Sequence, residues 1–143
     1  MPEAFTTVRA WREAVASGAT SAEAACQAAL DRIDASHGTL HAFRDVSAER
    51  ALTRARALDR QAGPKGPLHG VPVAIKDNMV VAGETATAGS RILDGYVSPF
   101  TATVVDRLEA AGAVIVGKTI CDEFSMGSST ENCAFGPAKT PGT

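Results

Sequence analysis

The stretch Gly70-Val71-Pro72-Val73-Ala74-Ile75-Lys76-Asp77-Asn78 constrains the chain more than any other. Residues 71–75 are nearly unbroken apolar sequence, and they end on a lysine, an aspartate and an asparagine. A short apolar run rich in β-branched residues reads as a strand buried on both faces, as in a parallel sheet. Ligands of open α/β sheets bind beyond the carboxyl ends of the strands, and this strand would deliver Lys76 to that end. A lysine whose stem lies in apolar surroundings can lose its proton and act as a base. A lysine that snorkels to water is only a surface charge. The residues by themselves leave both readings of Lys76 open. Asp77 and Asn78 follow it directly, and successive side chains of an extended chain point opposite ways. Both therefore read as structural hydrogen-bonding groups.

The remaining elements follow from periodicity and punctuation. Residues 7–17 predict a helix with Val8, Trp11, Ala14 and Val15 on one face and Gly18 as its stop. Thr20-Ser21-Ala22-Glu23 has the form of a capping box with Thr20 as N-cap, opening a helix to about residue 35 on Cys26, Ala29, Leu30 and Ile33. Residues 40–46 predict a short extended segment. Ser47 is expected to cap a third helix to about residue 61, with Leu52, Ala55 and Leu58 as its face. Gly63-Pro64-Lys65-Gly66-Pro67 is the break between this helical lead-in and an α/β part. Beyond the strand at 71–75, a loop of small residues covers 83–89. A helical turn is expected at 90–93. A helix of residues 102–111 is predicted with Thr101 as its cap and Val104, Val105, Leu108 and Ala111 facing the core. A second buried strand is predicted at 113–116. Strand, helix, strand implies a parallel crossover. Residues 122–126 read as a short helix and 127–130 as a small, polar loop.

Several function classes are excluded or weakened on chemical grounds. Gly112-Ala113-Val114-Ile115-Val116-Gly117-Lys118-Thr119 matches the phosphate-loop spacing. Its inner residues want to be strand, and it follows a helix where such a loop must open one, so nucleotide binding there is rejected. Lys118, like Lys76, ends a strand on the same edge of the sheet, and is read as a structural or solvated lysine. His37, His41 and His69 have no acidic or cysteine partner at useful spacing, which argues against a Ser-His-Asp triad. Cys26, Cys121 and Cys133 form no C-x-x-C pair, so reduced thiols are expected and a zinc site is not. The net charge of −2 is spread along the chain, so this segment carries no basic patch for nucleic acid. No apolar run approaches the roughly 20 residues of a membrane span, and the amino terminus lacks the pattern of a signal peptide.

Three blocks carry a family resemblance: LHGVPVAIKDN at 68–78, TVVDRLEAAGAVIVGKT at 103–119 and CDEFSMGSSTENCAFGP at 121–137. They resemble the amidase signature family. The last block is similar to that family's bacterial amidotransferase A subunits, which serve in the amidation of Glu-tRNA(Gln) or Asp-tRNA(Asn). The resemblance implies an α/β fold, the amino-terminal part of the amidase-signature fold. A helical lead-in (1–62) would be followed by parallel βαβ strands (68–143) of a larger mixed sheet covered by helices, all within one domain incomplete at its carboxyl end. It implies amide hydrolysis by a Ser-Ser-Lys triad in which Lys76 is the lysine. Both serines would fall in a Gly/Ser-rich stretch beyond Thr143. Met126, Gly127, Ser128 and Ser129 become candidate substrate contacts. The implied substrate is glutamine, whose ammonia would be used for transamidation. The implied partners are amidotransferase subunits B and C, with the aminoacyl-tRNA held mainly by a partner. No cofactor is expected on this chain, ATP and magnesium being used by the partner, and the setting is cytoplasmic. Alone, the chain is expected to be inactive and, with sheet edges uncovered, to self-associate or be partly disordered. The alternatives are a stand-alone amidase and a truncated, non-catalytic interaction module.

Overall fold

Val114–Thr119 is the strand on which the other elements are assembled. A computed structural model describes residues 7–140. In chain order these form α1 (Val8–Ala16), α2 (Ala22–Leu40), β1 (Phe43–Val46), α3 (Ala48–Asp59), β2 (Pro72–Lys76), α4 (Thr103–Ala110) and β3 (Val114–Thr119). Short 3-10 turns lie at Arg91–Leu93 and Glu123–Ser125. The sheet order is β1-β3-β2. β2 and β3 run parallel, joined through α4, while β1 lies antiparallel on the other side of β3. The fold is thus α/β with a small mixed sheet.

Both faces of β3 are covered. Val114 and Val116 pack with Ala22, Cys26 and Leu30 of α2 and with Ala51, Ala55 and Leu58 of α3. On the opposite face Ile115 packs with Ile75, Val81 and Val105, joined by Val73, Met79 and Leu108. Alternation along a strand produces this split. A bulge then changes it: Val73 pairs with Ile115, but Ala74 pairs with Gly117, leaving Val116 as the extra residue. Beyond the bulge Ile75 is level with Lys118, and Lys76 with Thr119. Register neighbours in a sheet share a face, so Lys76 and Lys118 share an edge of the sheet but lie on opposite faces. Gly117 has no room for a side chain, because a Cβ there would lie 2.5 Å from the Asp45 carbonyl oxygen of β1. The phosphate-loop match is therefore a buried strand whose second glycine admits β1.

Several local expectations are corrected. The N-cap of α2 is Ser21, whose hydroxyl accepts the Ala24 N–H at 3.0 Å. Glu23 does not turn back to the cap but meets Arg56 at 2.7 Å. The same helix runs past residue 35, because the Ser36 hydroxyl donates to the Arg32 carbonyl and stays within the helix. It ends at His41, at φ 49°. Ser47 stands before α3 without a side-chain capping bond. Ala102 holds the N-cap position of α4, since the Thr101 hydroxyl is occupied by the Ala82 N–H at 3.0 Å. Among the described residues β2 lies at the edge of the sheet, and its Ala74 is exposed, so it is not buried on both faces. The turn at Glu123–Ser125 is no regular helix, because Phe124 and Ser125 have φ of 50° and 62°.

Candidate active site

Lys76 closes β2 and is half-buried. The Asp77 N–H donates to the Thr119 carbonyl at 2.9 Å, so the backbone is held to β3 just past the lysine. Among the described residues no side-chain hydrogen bond or ion pair occupies the Lys76 amine. An uncommitted amine at the carboxyl edge of a parallel pair of strands can take part in proton transfer, provided it is neutral when it acts.

The other face of the same edge holds a buried ion pair. Lys118 is fully buried, and its Nζ donates to the Thr85 carbonyl at 2.5 Å and lies 3.7 Å from Asp77 Oδ1. Burial lowers the Lys118 pKa, against the opposing charges of Asp77, Glu84 and Asp45. Asp77 Oδ2 accepts both the N–H of Thr87, at 3.1 Å, and its hydroxyl. Asp77 is thus the structural hydrogen-bonding group expected, on the face opposite Lys76. Lys118 is structural and not solvated. Together they fasten the small-residue loop to the end of β2. That loop reaches onward, with the Ala88 carbonyl accepting the Phe124 N–H at 2.7 Å and the Gly89 carbonyl accepting the Ala134 N–H at 2.9 Å.

Asp122 organises the segment carrying the other candidates. It is buried, three residues beyond the register partner of Lys76. Its Oδ1 accepts the Asn132 N–H at 2.9 Å, and its Oδ2 accepts those of Thr130 at 3.0 Å and Ser129 at 3.2 Å. The Asn132 bond is the largest influence on the carboxyl and lowers its pKa; burial opposes this, while Thr130, Ser129 and the charge of Lys76 lower it further. Lys76 and Asp122 are therefore within electrostatic reach of each other. Met126, Gly127, Ser128 and Ser129 lie exposed on the loop around this carboxylate. The Ser129 hydroxyl donates to Glu131 at 2.9 Å. No hydrogen bond among the described residues joins Lys76 to Ser128 or Ser129. Cys121 is buried beside the site and its thiol is pushed up chiefly by that burial, so it is not an activated nucleophile.

Sequence reasoning passed over Asp122, Thr87 and the buried state of Lys118. The signal for Asp122 was an aspartate followed by a run of small and hydroxyl residues, which can wrap their N–H groups around a carboxylate. Nothing local marked Thr87. Among the described residues no group of three or more His, Cys, Asp or Glu side chains is placed to hold a metal ion, and no helix is long and apolar enough to cross a membrane.

The chain is 56% identical over 131 residues to the glutamyl-tRNA(Gln) amidotransferase A subunit of Thermobifida fusca (strain YX), covering 90% of this chain and 26% of that protein. It thus spans about a quarter of that relative's length. The crystal structure of the corresponding protein from Thermotoga maritima is 41% identical, with a TM-score of 0.68 over 84% of this chain and 24% of that one. A bacterial aryl acylamidase of the amidase signature enzymes superposes with a TM-score of 0.90 at 25% identity, over 99% of this chain and 30% of that one. The sequence profile of the family described as Amidase matches residues 24–142, so the chain belongs to the amidase family.

Proposed function

We propose that this chain carries the general base of an amide hydrolysis, and that the base is Lys76. The observation that carries the reading is an amine with no hydrogen bond or ion pair among the described residues, half-buried at the carboxyl end of β2, in the segment that resembles the family's lysine motif. In the complete enzyme the family resemblance supplies two serines. Neutral Lys76 accepts a proton through the bridging serine, the nucleophilic serine attacks the amide carbonyl, and backbone N–H groups hold the oxyanion. The proton returns from Lys76 through the bridging serine to the amide nitrogen, ammonia leaves, and water then clears the acyl-enzyme. Met126, Gly127, Ser128 and Ser129 form the substrate side of the site.

Similarity to the amidotransferase A subunits supports glutamine as the amide and transamidation of Glu-tRNA(Gln) or Asp-tRNA(Asn) as the use of its ammonia. In that reading the protein works in the cytoplasm with subunits B and C. A partner holds the aminoacyl-tRNA and uses ATP and magnesium, in keeping with the absence of a basic patch here. A second reading, a stand-alone amidase, draws on the closer superposition with the aryl acylamidase than with the Thermotoga protein. Dependence of turnover on partner subunits separates the two.

The test is Lys76→Ala in the full-length protein with its partners. Glutaminase kcat/KM is expected to fall by about 10²- to 10⁴-fold, the range for removal of a general base. Turnover within a factor of about three of wild type would remove Lys76 from the chemistry. The 143 residues by themselves are expected to release no ammonia from glutamine.

A further inference from the structure

We propose that Asp122 is a positioning residue that shapes the loop of residues 127–132 and thereby sets the affinity of the site for a neutral amide. The inference rests on the reading of this loop as the substrate side. Asp122 is a buried carboxylate whose two oxygens are both occupied by the loop's own backbone, Ser129 and Thr130 on one and Asn132 on the other. These three bonds set the distance at which the loop passes the carboxylate. A Cβ on Gly127 would collide with the Asp122 carboxyl group, so the chain passes there at a distance that only a glycine allows.

The surrounding backbone needs such an anchor. Phe124, Ser125 and Thr130 have φ of 50°, 62° and 63°, conformations that residues with side chains adopt only when the structure around them over-determines the choice. Thr130 is held a second time, its hydroxyl accepting the Ala138 N–H at 2.8 Å. The tip between these fixed points, Gly127 and Ser128, is exposed. The Asp122 charge is met by three backbone N–H groups, so the exposed tip at Gly127 and Ser128 offers only uncharged groups, which suits a neutral amide. Asp122 follows the register partner of Lys76 by three residues, so one group links the place of the base to the place of the substrate.

The experiment uses the full-length amidase with glutamine as probe. Asp122→Asn replaces one acceptor oxygen by an NH₂ that faces a backbone N–H. KM is expected to rise roughly 10- to 100-fold, the worth of a lost charge-assisted bond, with kcat changed by less than about threefold. Gly127→Ala pushes on the same carboxylate from the loop side and, because Gly127 itself lies on the substrate side, is read by amide exchange alone. Amide exchange at Ser129, Thr130 and Asn132 is expected to accelerate in both variants. A residue that merely holds the fold together would reduce the active fraction, lowering apparent kcat at unchanged KM. That result, or unchanged exchange at the three amides, would overturn the proposal. Lys76→Ala, run in parallel, reads the base alone: retained turnover there defeats the Lys76 reading while the KM and exchange data still decide Asp122.

Discussion

Lys118 and Asp77 form an ion pair with side-chain exposures of 0% and 2%, and Asp77 Oδ1 has no hydrogen bond of its own. Removing one member strands the other charge away from water. Lys118→Met is therefore expected to destabilise the chain by about 3–5 kcal/mol, read as a lower urea midpoint. Adding Asp77→Leu should recover much of the loss, because the stranded carboxylate goes too. A midpoint unmoved by the single substitution would mean that the pair is not buried. At this scale the alternation of Lys76 and Asp77 across a strand was legible from adjacency alone. The burial of Lys118 was not, because it depends on the bulge at Val116 and on a loop more than thirty residues away closing over the amine.

Between elements, the joints are made by side chains that reach the unsatisfied ends of helices. The Asp59 carboxylate, the last residue of α3, accepts the N–H groups of Ala22 and Glu23 at 2.7 and 2.9 Å. It caps a helix that begins 37 residues earlier. Asp59→Ala is expected to cost about 1–2 kcal/mol, as losing a cap does, measured by urea unfolding, whereas Glu23→Ala, which breaks only the exposed pair with Arg56, should cost well under 1 kcal/mol. Equal effects would mean that the Arg56 pair is the real joint. Arg54 ties α3 to the start of β3 by donating to the Ala113 carbonyl at 3.0 Å. The elements themselves were legible in their apolar spacing, and their joints were not. Thr20 and Ser21 are both good caps by residue type, and only the docking of α3 onto the start of α2 decides which one is used.

For the whole molecule, the uncovered side of the sheet matters most. Among the described residues β2 has a partner strand on one side only. Exposed Ala74 lines a cleft of about 530 Å³ together with Trp11, Ile33, Leu40 and Val116. An edge strand beside apolar surface is a template for association. The isolated chain is expected to self-associate in a concentration-dependent way in sedimentation velocity, and Ala74→Lys, which sets a charge on that surface, to shift it toward monomer. A monomer at all concentrations with a sharp cooperative melt would contradict this.

The sequence by itself determined the layered α/β arrangement, because apolar runs at 71–75 and 113–116 around an amphipathic helix can bury themselves only as parallel strands under a crossover. It also determined the place of Lys76, because the residue that ends a strand of this kind lies at the carboxyl edge whatever packs on the faces. Only the tertiary structure decided which lysine is buried with Asp77, which aspartate the serine-bearing loop folds around, and that β2 stands at the edge of the sheet. Those outcomes depend on register, one bulged residue and close approach between segments far apart in the chain, and no local pattern of residues encodes them.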